Sequence, residues 1–196
     1  MRHATSKHVY AYWRQLRGKQ AVPSRSDFDP TVLGRHLTDV FLLEGDETGH
    51  FSFRVAGSNL CALFGEELRG KPFLAMATHA TADDLGDMLS AVIEDGVAVI
   101  AGASAILSDR MSLEAELLLL PLLHNGALNV RVLGSLTFPM PDRLALGDCA
   151  GLEILSFRTL SDGETRFLLP SGKTLLMDYG SGERRGHLTV LTGGQK

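Results

Sequence analysis

Cysteine is scarce in this 196-residue chain: there are two, Cys61 and Cys149. Two distant cysteines exclude a disulfide framework and a metal-knuckle pattern, and they fit a reducing compartment. Long apolar runs are also missing. The longest, Leu117–Leu123, is seven residues broken by Pro121, whereas a bilayer-spanning helix needs about 20. The N-terminus has no apolar signal-peptide core, because Arg2, His3, Lys7 and His8 interrupt it. A cytoplasmic protein without an integral membrane segment is the expectation. No excess of positive charge is present either: 19 Lys and Arg stand against 23 Asp and Glu, a net charge of −4. That balance lacks the broad basic footprint of a nucleic-acid binder. Residues 1–30 do hold six basic against two acidic residues, so the basic character is local. Internal repeats, a Gly-x-Ser-x-Gly elbow and a P-loop are absent.

What is present is ordinary globular material, with 44% hydrophobic and 21% charged residues. Val9, Trp13 and Leu16 fall at i, i+4 and i+7, with Lys7, Arg14 and Arg17 opposite. This predicts an amphipathic helix from a Ser6 cap to about Gly18. Asp29-Pro30 opens a short helix over about 31–36. Val40–Glu44 and the alternating Phe51–Gly57 read as strands joined by a turn over 45–49. Ser58 caps a short helix carrying Leu60, Leu63 and Phe64. A longer helix at about 81–95 follows, capped by Thr81 and ended by Gly96, and Leu85, Met88, Leu89, Val92 and Ile93 form one face of it.

Three further strands are expected at about 97–107, 113–123 and 128–138, with His124-Asn125-Gly126 as the last hairpin turn. In the middle strand Glu114 and Glu116 are expected to face water. Leu113, Ala115, Leu117 and Leu119 then face the core, and Leu118, Leu120 and Leu122 emerge on the outer face. An exposed leucine row needs a cover. The Val9/Trp13/Leu16 stripe can supply it, from its own chain or from a partner subunit. Beyond Pro141 the pattern weakens: 152–157, 166–169 and 174–179 read as short strands or a helix, and 180–196 as a glycine-rich tail. Gly180–Gly186 only superficially suggests a dinucleotide fingerprint, since the last glycine falls one residue late.

The order of elements and their marker residues carry a family resemblance. Tyr12-Trp13, Leu16-Arg17-Gly18, Pro23, Arg25, Asp27, Asp29-Pro30, Phe41-Leu42-Leu43-Glu44, Phe53-Arg54, Ala56-Gly57, Phe64-Gly65 and Gly70 together resemble a family of stand-alone PAS-domain proteins of alphaproteobacteria. The match runs over about residues 8–140. The resemblance implies an α+β, PAS-like fold: a five-stranded antiparallel sheet with helices on one face, preceded by the amphipathic helix (1–20), forming a core (21–140), and followed by a C-terminal extension (141–196). It also implies a sensory or regulatory module in bacterial signalling, without its own kinase.

PAS domains take small molecules between the long helix and the inner sheet face. Here that space is expected to be lined by Phe53, Val55, Leu60, Phe64, Met88, Leu89, Val92, Leu117 and Val132, either around a ligand or as a core that fills itself. The cofactor is unknown. Flavin is disfavoured because Leu60, not Asn, precedes Cys61, and haem because His79 lies before the long helix and none lies within it. The remaining histidines (His3, His8, His36, His50, His124, His187) show no metal-ligand spacing. Arg25, Asp27 and Asp29 are expected to pair and to satisfy backbone amides before Pro30. The leading functional expectation is a non-enzymatic module that contacts a signalling protein, forms a homodimer through Val9, Trp13, Leu16 and the Leu118/Leu120/Leu122 row, and binds no nucleic acid. The alternatives are a ligand-free interaction scaffold and a small enzyme using the apolar interior.

Overall fold

A computed structural model describes residues 1–108, 111–125, 127–139, 147 and 149–160, with backbone alone for 127–130, 165–169 and 173–177. The glycine-rich stretch 180–196 lies outside the described residues. The described residues form three α-helices, α1 (Ala4–Arg17), α2 (Ser58–Phe64) and α3 (Ala82–Glu94). They also form eight strands, β1 (Val40–Gly45), β2 (Phe51–Ala56), β3 (Ala98–Leu107), β4 (Ser112–His124), β5 (Ala127–Thr137), β6 (Cys149–Leu160), β7 (Thr165–Leu169) and β8 (Lys173–Met177). Short 3₁₀ turns cover Arg25–Asp27, Pro30–Asp39 and Phe73–Met76.

All strands belong to one antiparallel sheet in the order β2-β1-β5-β4-β3-β6-β7-β8. The first five are the strands expected, in PAS-like order. The sheet is longer than five strands because β6 pairs with β3 from Leu107↔Cys149 to Ala98↔Leu160, so what the weak pattern left as strand or helix is strand. Helices lie on both faces, the N-terminal one covering the outer leucine row. α2, α3 and Phe73–Met76 lie on the inner face, while α1 lies on the outer face against β4 and β5.

Strand alternation divides the core accordingly. Phe41, Leu43, Leu117, Leu119, Val132 and Leu136 point inward to meet Leu85, Met88, Leu89 and Val92 of α3. Phe41, Phe53 and Phe73 form an aromatic triad, with ring centroids 5.4–5.9 Å apart. The Phe41 ring lies where β5 has no side chain, at Gly134: a Cβ there would sit 2.1 Å from the ring.

One inward position fails. Val55 is 56% exposed, because β2 carries a bulge: Leu42 pairs with Val55 but Leu43 with Phe53, leaving Arg54 as the extra residue. The alternation that buries Phe51 and Phe53 therefore breaks, and Arg54 and Val55 both turn outward. The segment after α2 covers this edge strand, with Gly70 N–H donating to the Phe53 carbonyl (2.7 Å) and Phe53 N–H to Lys71 (3.0 Å).

Since the Phe41 ring fills the space above Gly134, Gly134→Ala is expected to destabilise the protein by about 1–3 kcal/mol through overpacking. Urea denaturation checks this, and an unchanged midpoint would mean that the ring moves aside freely.

Candidate functional site

The outer face is where apolar surface and polar groups meet. Leu118, Leu120, Leu122, Leu133, Leu42 and Ile100 form its floor, and Val9, Tyr12 and Trp13 of α1 close it from above. The three β4 leucines are fully buried, and Trp13 is 2% exposed. The expected interface residues therefore do come together, with Leu16 packed at the margin, but within one chain. Of the two covers expected for the row, the same chain or a partner subunit, α1 of the same chain is the one seen here.

Polar contacts fix α1 at both ends. Trp13 Nε1–H donates to the Pro121 carbonyl (2.8 Å), and the Asp29 amide donates to the Tyr12 hydroxyl (3.0 Å). The Arg17 guanidinium stands 5.4 Å from the Trp13 ring. At the other end, no side chain of α1 caps its own first turn. Glu116 of β4 instead holds the residues that lead into the helix, accepting from the amides of Arg2 (2.6 Å) and of the cap residue His3 (3.3 Å). A carboxylate at a helix N-terminus also meets the positive end of the helix dipole.

Glu116 is therefore buried, at 6% exposure, where water was expected. Burial alone pushes its carboxyl up. The Arg2 amide, the Ser6 hydroxyl, the His3 amide and the terminal ammonium together outweigh that and hold it below the usual glutamate range. Ser6, expected as the cap, lies inside the helix, fully buried, with its hydroxyl 3.5 Å from Thr137.

A second polar node ties α1 to the turn before β1. The Thr5 hydroxyl donates to Asp39 (3.1 Å) and lies 2.8 Å from His36 Nδ1, while Asn59 of α2 donates to the other Asp39 oxygen (2.7 Å). The His36 ring stacks on His8 of α1 at 4.7 Å. Burial, then the neighbouring His8 and Arg35, pull the His36 pKa down, against Asp39.

On the inner face Phe53, Leu60, Met88, Leu89, Val92, Leu117 and Val132 are all buried in one cluster, with Phe64 half-buried against it; Val55 is the exception described above. Cys61 is half-buried, with its thiol 3.8 Å from Glu67. Burial pushes the Cys149 thiol up. His79 is exposed beside a shallow cleft at the start of α3. Arg25 does not pair with an aspartate: it donates to the Phe28 carbonyl (3.3 Å), while Asp29 accepts from Thr31 as expected. No cluster of three His, Cys, Asp or Glu with metal-binding geometry occurs among the described residues. No helix among them is long and apolar enough to cross a membrane.

This arrangement, an inner core closed by α3 and an outer leucine face closed by an N-terminal helix, defines a PAS-like fold. The chain matches the PAS domain family PAS_5 over residues 1–137, and it belongs to that family. No curated protein and no solved structure gives a match.

Because the folded carboxyl of Glu116 titrates below its ordinary value of 4.5, its contribution is present above that pH and is lost as pH falls through the folded pKa. Glu116→Gln is expected to cost about 2 kcal/mol at neutral pH, and the difference from the wild type should shrink on acidification below the ordinary value. Denaturation midpoints of both proteins across the acid range check this; a pH-independent gap would contradict the sign.

Proposed function

We propose that this chain is a non-enzymatic regulatory module of bacterial signalling, acting through a protein partner, with α1 as its output element. Membership of the PAS family supports a sensory or regulatory role, and the resemblance to stand-alone alphaproteobacterial PAS proteins supports its setting. The observation that carries the reading is how α1 is held. Apolar burial of the leucine row supplies the attraction, while Glu116, Asp39 and Pro121 supply the positions.

With α1 lifted, Leu118, Leu120 and Leu122 are bare and suit the apolar face of a partner helix. A partner shifts this equilibrium only by binding the lifted state better than the docked one. The inner core, filled by the Phe41/Phe53/Phe73 triad and Met88, favours partner contact over a small apolar ligand as the signal.

Native-state hydrogen exchange tests the reading. The amides of α1 should exchange through an opening of lower free energy than those of β4 and β5. Exchange of α1 only through global unfolding would make it a structural brace and remove the output element.

A further inference from the structure

At one end of the outer face, the loop after α1 crosses above β4 and β5 and encloses an open cleft of about 430 Å³. Three arginines line it, each from a different element: Arg25 from the loop, Arg54 from β2 and Arg131 from β5. We propose that this cleft binds the phosphoryl group of a small molecule.

The guanidiniums are held in place before any ligand arrives. Glu44, between β2 and β5, bonds Arg54 Nη1 through one carboxylate oxygen (2.8 Å) and Arg131 Nη2 through the other (2.5 Å). The Arg54 hydrogen bond, working against burial and aided by Arg131, keeps Glu44 ionised below the usual range. The Arg131 side chain is only 7% exposed. Arg54 reaches this face because it follows the inward Phe53 in the alternation of β2. Arg25 is oriented by the Phe28 carbonyl and by the Phe28 ring, 5.5 Å from its guanidinium. Arginine so fixed presents a fork of donors that matches the oxygens of a phosphoryl group, and fixing it beforehand lowers the cost of binding.

The charge fits as well. The lining holds three guanidiniums and no carboxylate, and Glu44 bonds two of the three. A phosphate monoester carries about −1.5 to −2 at neutral pH. Asp27, which accepts from the Ser26 hydroxyl (3.2 Å), stands outside the lining. The volume lies in the range of small-molecule sites, and Leu123 and His124 offer the organic part of a ligand a surface to rest on.

Occupancy would tie the loop following α1 to β2 and β5. Phe28, beneath Arg25, packs on Tyr12 of α1 at 5.7 Å, so the ligand would favour the docked helix. That consequence rests on the regulatory reading above; binding itself does not.

Isothermal titration calorimetry of the full chain with pyrophosphate and with adenosine diphosphate, at constant ionic strength, tests the site. Saturable binding is expected, weakened at least about tenfold by Arg25→Gln and by Arg54→Gln. Both substitutions leave the buried Arg131 in place, and unchanged thermal unfolding verifies that each variant is folded. Tighter binding of the nucleotide would assign the site to a phosphorylated organic molecule, and equal affinities to the inorganic oxyanion. No saturable binding of either probe at millimolar concentration, or binding that both variants leave unchanged, would overturn the proposal. Neither result depends on how α1 exchanges, so failure of the site and failure of the output helix are separately visible.

Discussion

The leucine row on the outer face of β4 is the constraint from which the rest of the structure follows. Leu118, Leu120 and Leu122 alternate with the inward Leu117, Leu119 and Pro121, so a strand that fills the inner core necessarily places three leucines on the far side. Each buried leucine is worth about 2 kcal/mol, too much to leave in water on a sheet that has Leu133, Leu42 and Ile100 beside it. An amphipathic helix from the same chain is the solution adopted. It requires the N-terminal segment to cross the sheet, and that crossing draws in the loop with Arg25, the Tyr12–Asp29 contact and the Pro23–Leu123 backbone bond.

Apolar burial pulls α1 onto the sheet without specifying where along the row it rests. Polar groups do that. Glu116 takes the amides of Arg2 and His3 at the entry to the helix, Asp39 holds Thr5, and the Pro121 carbonyl takes the indole N–H of Trp13. A buried carboxylate without these donors would be costly, and so would the part-buried amides before the helix without the carboxylate. The pair is stable only together. A helix held by a broad apolar contact and a few exacting polar ones can be released by changing one of the latter, which is the property a regulatory element needs.

Much of this could be read from residue spacing. The periods of 3.6 in α1 and α3 and of 2 in β4 placed the helices, the strands and the need for a cover over Leu118, Leu120 and Leu122. Where the reading went wrong, a local rule was applied without its tertiary consequence. Glu116 shares the parity of the leucines, so the helix that covers them covers it too; the signal was there, but a glutamate in a strand was given to water by default. Val55 followed the alternation of Phe51 and Phe53 until a bulge at Arg54 broke it, and the pairing register of β1 and β2 that creates the bulge is a property of two strands, not of one. The arginine cleft was not legible at all, since Arg25, Arg54 and Arg131 are far apart in sequence and meet only through the sheet order β2-β1-β5 and the loop above it.

Trp13 is the one tryptophan of the chain and lies in the α1 contact, so its emission reports docking directly. The decisive measurement is a urea titration of the wild type and Glu116→Gln, following Trp13 emission and the far-ultraviolet circular dichroism of the sheet in the same samples. If the Glu116 clamp positions α1, the Trp13 transition of the variant moves to lower urea than that of its sheet. If the two signals of the variant shift together, α1 and the sheet are one indivisible unit, and the account of a separately held helix is wrong.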